Sequence, residues 1–236
     1  MSKSGGIPWK RASVEFLVIF IGITLSLIAD DWRQSQEEMR REKSALTEML
    51  ADLQADSVDL ASMLGSAQRW DQGAVWLLKN AETWDLPEDS VRAGIRPLFF
   101  SSLYQPLRSA YTGLRSSGQL WLIRDEDIRR LVVNYYEVSQ PYMLQFTEAA
   151  GPYYQMPFLE ASRESNFFTD DSAATSLRAE SGRLELRKPW GEIAGDPVFF
   201  STVTSLGLFG ATFALRIPGV LEKNGDLRRE IREYLG

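Results

Sequence analysis

The chain has 236 residues, a net charge of -6 and a pI of about 4.9, and it contains neither cysteine nor histidine. That length holds one anchor and one ordinary domain with a real core. The missing residues exclude thiol chemistry, disulfides, imidazole acid–base catalysis and the usual zinc and haem ligands, and the acidic balance argues against a nucleic-acid partner.

Residues 1–12 form a short basic tail, and 13–31 read as a transmembrane helix. Phe16 to Ala29, FLVIFIGITLSLIA, is fourteen residues without a charge, short of the roughly 20 a bilayer needs. The flanks supply the rest. Trp9, Lys10 and Arg11 on one side and Trp32 and Arg33 on the other have the character of interfacial anchors. Trp9 and Trp32 are 23 residues apart, about 34 Å of helix. No small-x-small cleavage site precedes Asp30. Glu15 at the mouth of the helix reads as a first-turn glutamate paired with Arg11; the competing reading is an ion-coupling carboxylate of a stator-type subunit. Gly22 and Ser26, four apart, form a small-xxx-small face for another membrane helix. The basic tail and the Asp30-Asp31 pair after the span favour a cytoplasmic N-terminus and a periplasmic domain in a bacterial inner membrane.

Between Pro8 and Pro87 there is no proline. Residues 32–45 carry charges of alternating sign and read as a wet helical stalk. From Leu46 an apolar stripe follows through Met49, Leu50, Leu53, Leu60, Met63, Leu64, Ala67, Trp70, Ala74 and Leu77, at helical spacing. The prediction is one rod from about Ser13 to about Ala81, roughly 100 Å long, whose distal part packs into a helical bundle over 46–164. Trp84-Asp85-Leu86-Pro87 breaks it, with Asp89 or Ser90 as the next cap. Gly118 reads as a helix C-cap and LWLI as an apolar link. Asp125 or its neighbour opens DEDIRRLVVNYYEVSQ, with Ile128, Leu131, Val132, Tyr135 and Tyr136 on its buried side.

Two passages, EFLVIFIGITLSLIADDW and AYTGLRSSGQLWLIRDEDIRRLVVNYYE, resemble a pattern found in uncharacterised bacterial single-pass inner-membrane proteins with a helical extramembrane domain. The matching residues are Glu15, Gly22, Asp31 and Trp32, then Tyr111, Leu114, Gly118, Ile123, Asp125 and Tyr135-Tyr136. The resemblance covers the first 45 residues and about 30 in the middle, implies a membrane anchor with a helical domain, and carries no catalytic residues.

Residues 165–196 read as an irregular loop, with RLELR as a short strand and Phe167, Phe168 and Trp190 as aromatic partner-docking residues. Asp196-Pro197 is a helix start. The uncharged run Val198–Leu215 fits a central core helix better than a second span, although Gly207/Ala211 and Gly210/Ala214 have small-xxx-small spacing. Residues 197–236 are then the C-terminal helices of the bundle, separated or kinked at Pro218. The fold class is mainly α.

The acidic clusters Asp30-Asp31, Asp56/Asp59 and Asp170-Asp171 lack calcium-loop spacing, and Asp56 and Asp59 are read on the wet side of the rod. There is no phosphate loop and no G-x-S-x-G elbow. The expectation is a non-enzymatic accessory subunit without cofactor or metal that docks onto a larger inner-membrane complex, bioenergetic assemblies among them. Its partners are the lipid bilayer, other membrane-protein subunits and, as an option, further copies of itself. The alternatives are a signal-transmitting sensor bundle and a stator-like subunit using Glu15.

Overall fold

The proline-free stretch folds, in the computed structural model, as a single helix, α1 (Trp9–Lys79), of 71 residues. At 1.5 Å per residue that is about 107 Å. The structure describes residues 9–99, 104–167 and 186–236, apart from the side chains of Lys10, Arg11 and Ala12. Short elements then follow the rod: α2 (Glu88–Ile95) with a 3₁₀ turn at Arg96–Phe99, and α3 (Ser109–Ser116). A 3₁₀ turn at Leu120–Leu122 leads to α4 (Glu126–Asn134). A long helical segment continues through α5 (Gln140–Ala149) and α6 (Met156–Glu164). Last come α7 (Trp190–Ala194) and the 39-residue α8 (Pro197–Leu235).

Local chemistry explains most boundaries. Gly118 takes φ +68; its N–H bonds the Arg115 carbonyl and the Gln119 N–H the Leu114 carbonyl, the paired bonds of a Schellman stop. The Asp125 carboxylate accepts from the N–H groups of Asp127 and Ile128, both at 2.9 Å, as an N-cap should. Asp196 caps α8 in the same way through Val198 and Phe199, with Pro197 in the first turn. Helix α2 departs from expectation: it starts at Glu88 without a side-chain cap, and Asp89 instead pairs with Arg92.

Prolines 141, 152 and 157 do not end the α4–α6 segment. Their missing N–H groups and ring collisions with the preceding turn coincide with two wider π-helical stretches, Tyr135–Ser139 and Ala150–Gln155, and the chain stays helical through both. Pro218 likewise lies within α8, which runs on without a break. The ring is exposed. The expected separation there does not occur.

The bundle is organised by two seams. On α1 the buried residues 42, 46, 49, 53, 56, 60, 63, 67, 70, 74 and 77 alternate in steps of four and three. On α8 the buried residues 199, 203, 206, 210, 213, 217, 220, 224, 227 and 231 do the same. This heptad spacing keeps two long helices in contact along a shared line. They run antiparallel: the Tyr234 hydroxyl reaches Glu42, the Asn224 amide reaches the Leu53 carbonyl, and Gly210 and Gly207 lie on Ala67 and Ala74. Gly207 and Gly210 are therefore close-approach points inside the bundle. A Cβ at Gly210 would stand 2.7 Å from the Ala67 oxygen.

Among the described residues two helices are long and apolar enough to cross a membrane. In the first, the apolar stretch is 0% buried, and Phe16 to Ile28 all face outward. In the second the stretch is 39% buried. Its partners Ala67 and Ala74 lie 36 or more residues beyond Asp31 on the rod, about 54 Å or more along its axis. A bilayer of about 40–45 Å including headgroups cannot hold both runs in this arrangement.

Three further expectations change. The stalk is not free: from Ser35 onward it is partly covered, and Glu42 is buried at 3% exposure. Leu131 is exposed, unlike Ile128, Val132, Tyr135 and Tyr136. The 165–196 segment is not irregular throughout, since α7 lies within it.

Candidate functional site: a ladder of buried carboxylates

Acids occupy positions on α1 where the seam calls for apolar side chains. Glu42 and Asp56 sit on the four–three repeat itself, and Asp52 lies beside it. Each serves a different part of the chain. Glu42 accepts from the Arg124 N–H at 2.7 Å and the Tyr234 hydroxyl at 2.9 Å, which ties the start of the α4 connection and the end of α8 to the rod. Asp52 accepts from the Ser109 hydroxyl at 3.0 Å and the Ala110 N–H at 3.1 Å. It thereby caps α3 from another helix, supplying the acceptor that Arg108 at the cap position lacks.

Asp56 is 1% exposed and forms the centre of the ladder. Its Oδ2 accepts a short hydrogen bond from the Tyr135 hydroxyl and a second, at 3.2 Å, from the Gln140 amide. Asn224 donates to the Tyr135 oxygen at 2.9 Å and to the Leu53 carbonyl at 3.0 Å. A chain of donors thus runs from α8 through Tyr135 to the rod. Both Tyr135 and Gln140 belong to or abut the first π-helical stretch. That widened turn carries them to the same carboxylate.

Burial dominates the electrostatics. Desolvation raises the Asp56 carboxyl above its ordinary range, against the lowering effect of the hydrogen bonds from Tyr135 and Gln140 and of the nearby Tyr104 hydroxyl. Desolvation also pushes up the Tyr135 and Tyr104 phenols, and the adjacent Asp56 charge adds to it. Tyr104 feels the carboxylate yet makes no hydrogen bond of regular geometry among the described residues. Asp56 Oδ1, Gln140 Oε1 and Asn224 Oδ1 are buried oxygens without a donor among those residues. A proton on Asp56 relieves the cost of a buried charge and supplies a donor that the carboxylate lacks. Beside this core Tyr111 stacks on Tyr136 at 4.6 Å and donates to Glu137 at 2.7 Å. Its phenol is pushed up to about 12 by burial and by that bond.

No known protein family matches the sequence, and neither characterised proteins nor solved structures show a significant resemblance to the chain. The geometry therefore stands alone. Among the described residues no three carboxylates converge on a metal position. A cleft of about 190 Å³ opens beside the second π-helical stretch, lined by Met63, Trp70, Ala150, Pro152, Gln155 and Phe213. It does not include the ladder residues.

The residues singled out from sequence are scattered. Trp9 and Trp32 are exposed at the two ends of the apolar span, 84% and 65%. Arg33 and Glu15 are also exposed, and the Lys10 and Arg11 side chains lie outside the described ones, so the Glu15–Arg11 pairing does too. A Cβ at Gly22 would meet nothing within 4 Å, so the Gly22/Ser26 face is open in the single chain. Phe167 and Trp190 are not a docking surface. They are 1% and 3% exposed; Phe167 packs edge-on against Phe199 at 5.2 Å and the Trp190 indole donates to the Asn80 carbonyl at 2.9 Å. The loop is closed onto the bundle there. Phe168, Asp170 and Asp171 lie outside the described residues, as does RLELR except for Leu186, an isolated bridge residue, and Arg187. Asp56 departs most from its sequence reading: it lies in the seam, not on the wet side of the rod. The signal was available, because the four–three count passes from Leu53 to Leu60 through residue 56.

Proposed function

We propose that the chain is a membrane-anchored, non-enzymatic accessory subunit whose helical domain stands on a bacterial inner membrane and docks onto a larger membrane assembly. The observation that carries this reading is the continuity of α1: the stretch whose apolar side chains all face outward is one helix with the stretch that holds the bundle. Exposed apolar surface on that scale is stable in lipid or against another protein, not in water. The buried acids favour a holding role, since Glu42, Asp52 and Asp56 spend their lone pairs on fastening α3, α4, α5 and α8 to the rod. The basic residues before the span and the Asp30-Asp31 pair after it favour a cytoplasmic N-terminus and a periplasmic domain. The pattern shared with uncharacterised single-pass inner-membrane proteins agrees with an anchor of this kind.

Gly22 and Ser26 are the proposed helix contact in the membrane. Purification of the full chain in mild detergent, beside Gly22→Leu, tests the docking claim. The wild type is expected to elute in a complex with other membrane subunits or further copies, and the substitution to release the chain without preventing insertion. Elution of the wild type alone as a monomer would refute it.

A further inference from the structure

We infer that the bundle makes a second contact with the bilayer that α1 crosses, through the exposed indole of Trp121 at the α3–α4 connection; the inference rests on the anchor reading above. Helix α3 starts level with Asp52 on the rod and α4 starts level with Glu42. The intervening connection is therefore the membrane-proximal tip of the bundle. The end of α8 arrives at the same level, with the Tyr234 hydroxyl on Glu42. Within LWLI, Leu122 and Ile123 are buried at 4% and 0%, which fixes the connection, while Trp121 is left 55% exposed. The Arg124 side chain points further down the rod, to the Ser35 carbonyl at 3.2 Å and Glu38 at 3.6 Å.

The distances suit a lipid surface. Glu42 lies eleven residues past Asp31, about 17 Å along the helix. The headgroup zone takes up about 5–8 Å of that, and an indole reaches a further 6 Å or so from its backbone. The remaining gap is about 3–6 Å, and a tilt of α1 by about 20°, the average for spanning helices, takes up half of it or more. Such a tilt lowers a point 8–10 Å off the rod axis, where a packed neighbour sits, by about 3 Å. The rod then leans toward the α3–α4 side. Trp suits this zone because its body is apolar and its N–H remains wet. The contact is aromatic in character, since Arg33, Arg40 and Arg41 are interleaved with Glu37 and Glu38. Anionic lipid is not required.

The absence of cysteine allows a clean test. Trp121→Cys, Val198→Cys and Ile21→Cys each carry a nitroxide in the full chain, reconstituted into phosphatidylcholine nanodiscs. Collision with a water-soluble nickel chelate and with oxygen is then read. Val198 is the distal control because its exposure, 57%, matches that of Trp121. The label at 121 is expected to be several-fold better shielded from nickel than the one at 198, with the label at 21 fully in lipid. Equal shielding at 121 and 198, with 21 in lipid, overturns the seat and leaves the anchor standing. A water-exposed label at 21 overturns both.

Discussion

Replacing Asp56 by Asn is expected to stabilise the protein at neutral pH, although the substitution deletes a carboxylate that accepts two hydrogen bonds. Asn keeps one oxygen for the Tyr135 hydroxyl and the Gln140 amide. It places an NH₂ where Oδ1 has no donor, in a core that also holds the unpaired oxygens of Gln140 and Asn224. The sign of the pH dependence follows from the raised carboxyl. Between the unfolded and the folded pKa the native state binds more protons than the unfolded chain, so the contribution of Asp56 to stability falls as pH rises across that window and is flat above it. Each pKa unit of that rise is about 1.4 kcal/mol of penalty at neutral pH. Removing a buried charge of this kind is expected to return about 1–3 kcal/mol. For a domain of this size that is roughly 2–4 °C per kcal/mol in Tm.

The assay is thermal unfolding of the full chain in mild detergent, followed by circular dichroism from pH 4 to pH 8. Asp56→Asn should melt higher than wild type at pH 7.5, and the difference should shrink toward pH 4. Tyr135→Phe removes both the donor to Asp56 and the acceptor of Asn224, and should cost about 1–3 kcal/mol at pH 7.5. It should cost less as the pH falls, because the raised carboxyl takes up a proton on acidification. In the double variant the two effects should not add, because they share one network. If Asp56→Asn melts lower than wild type at pH 7.5 by as much as Tyr135→Phe does, the carboxylate is a favourable charge and the desolvation argument is wrong.

Gly210→Ala should cost about 1–3 kcal/mol, because its Cβ would meet the Ala67 oxygen at 2.7 Å and the Trp70 Cβ at 2.9 Å. Gly219→Ala, with open space around it, should instead stabilise by about 0.5–1 kcal/mol in the same melting assay. Leu60→Ala, at a seam position with 0% exposure, should cost about 2–5 kcal/mol; an unchanged midpoint would contradict the seam. Asp196→Ala should cost about 0.5–2 kcal/mol at neutral pH through loss of the α8 cap. Backbone bonding by Phe199 holds the Asp196 carboxyl below its ordinary range, so its contribution is present at neutral pH and lost on acidification, and the variant should match wild type in acid.

The elements of the fold that depend on near neighbours were legible in the sequence. The rod follows from a proline-free run, the starts at Asp125 and Asp196-Pro197 from capping chemistry, and the stop at Gly118 from the left-handed conformation that glycine tolerates. What was not legible depends on distant supply. Asp56 is tolerated in the core only because Tyr135 and Gln140 reach it from 79 and 84 residues away in sequence, with Asn224 supporting the Tyr135 hydroxyl from behind. Glu42 is tolerated because Arg124 and Tyr234 come to it from 82 and 192 residues away. Taken locally, an acid on a long helix belongs to its wet face. The π-helical turns of the α4–α6 segment were not legible for a related reason: a single proline disfavours a regular α-turn, and the sequence does not state that a wider turn will absorb it.

Counting the repeat without regard to residue type recovers much of what residue type concealed. On α1 the steps of four and three run from Glu42 to Leu77 through Asp56. On α8 they run from Phe199 to Ile231 and pass through the end of the uncharged run, Pro218 and Asn224 without a change of phase. An unbroken phase across Pro218 is the signature of one helix with one partner. A boundary between a membrane span and a separate terminal helix need not preserve it. The polar exceptions on the two seams also correspond: Glu42 meets Tyr234, and Asp56 meets Asn224 through Tyr135. A slip of α8 by one heptad would take the Asn224 amide from the Leu53 carbonyl and the Tyr135 hydroxyl, and the Tyr234 hydroxyl from Glu42, each loss costing about 1–3 kcal/mol. The acids that weaken the core thus act as register marks, a role best attested for polar residues in coiled-coil seams. A rod whose register is fixed at two points ten residues apart on α8 holds its domain at a defined distance from the exposed apolar stretch of α1.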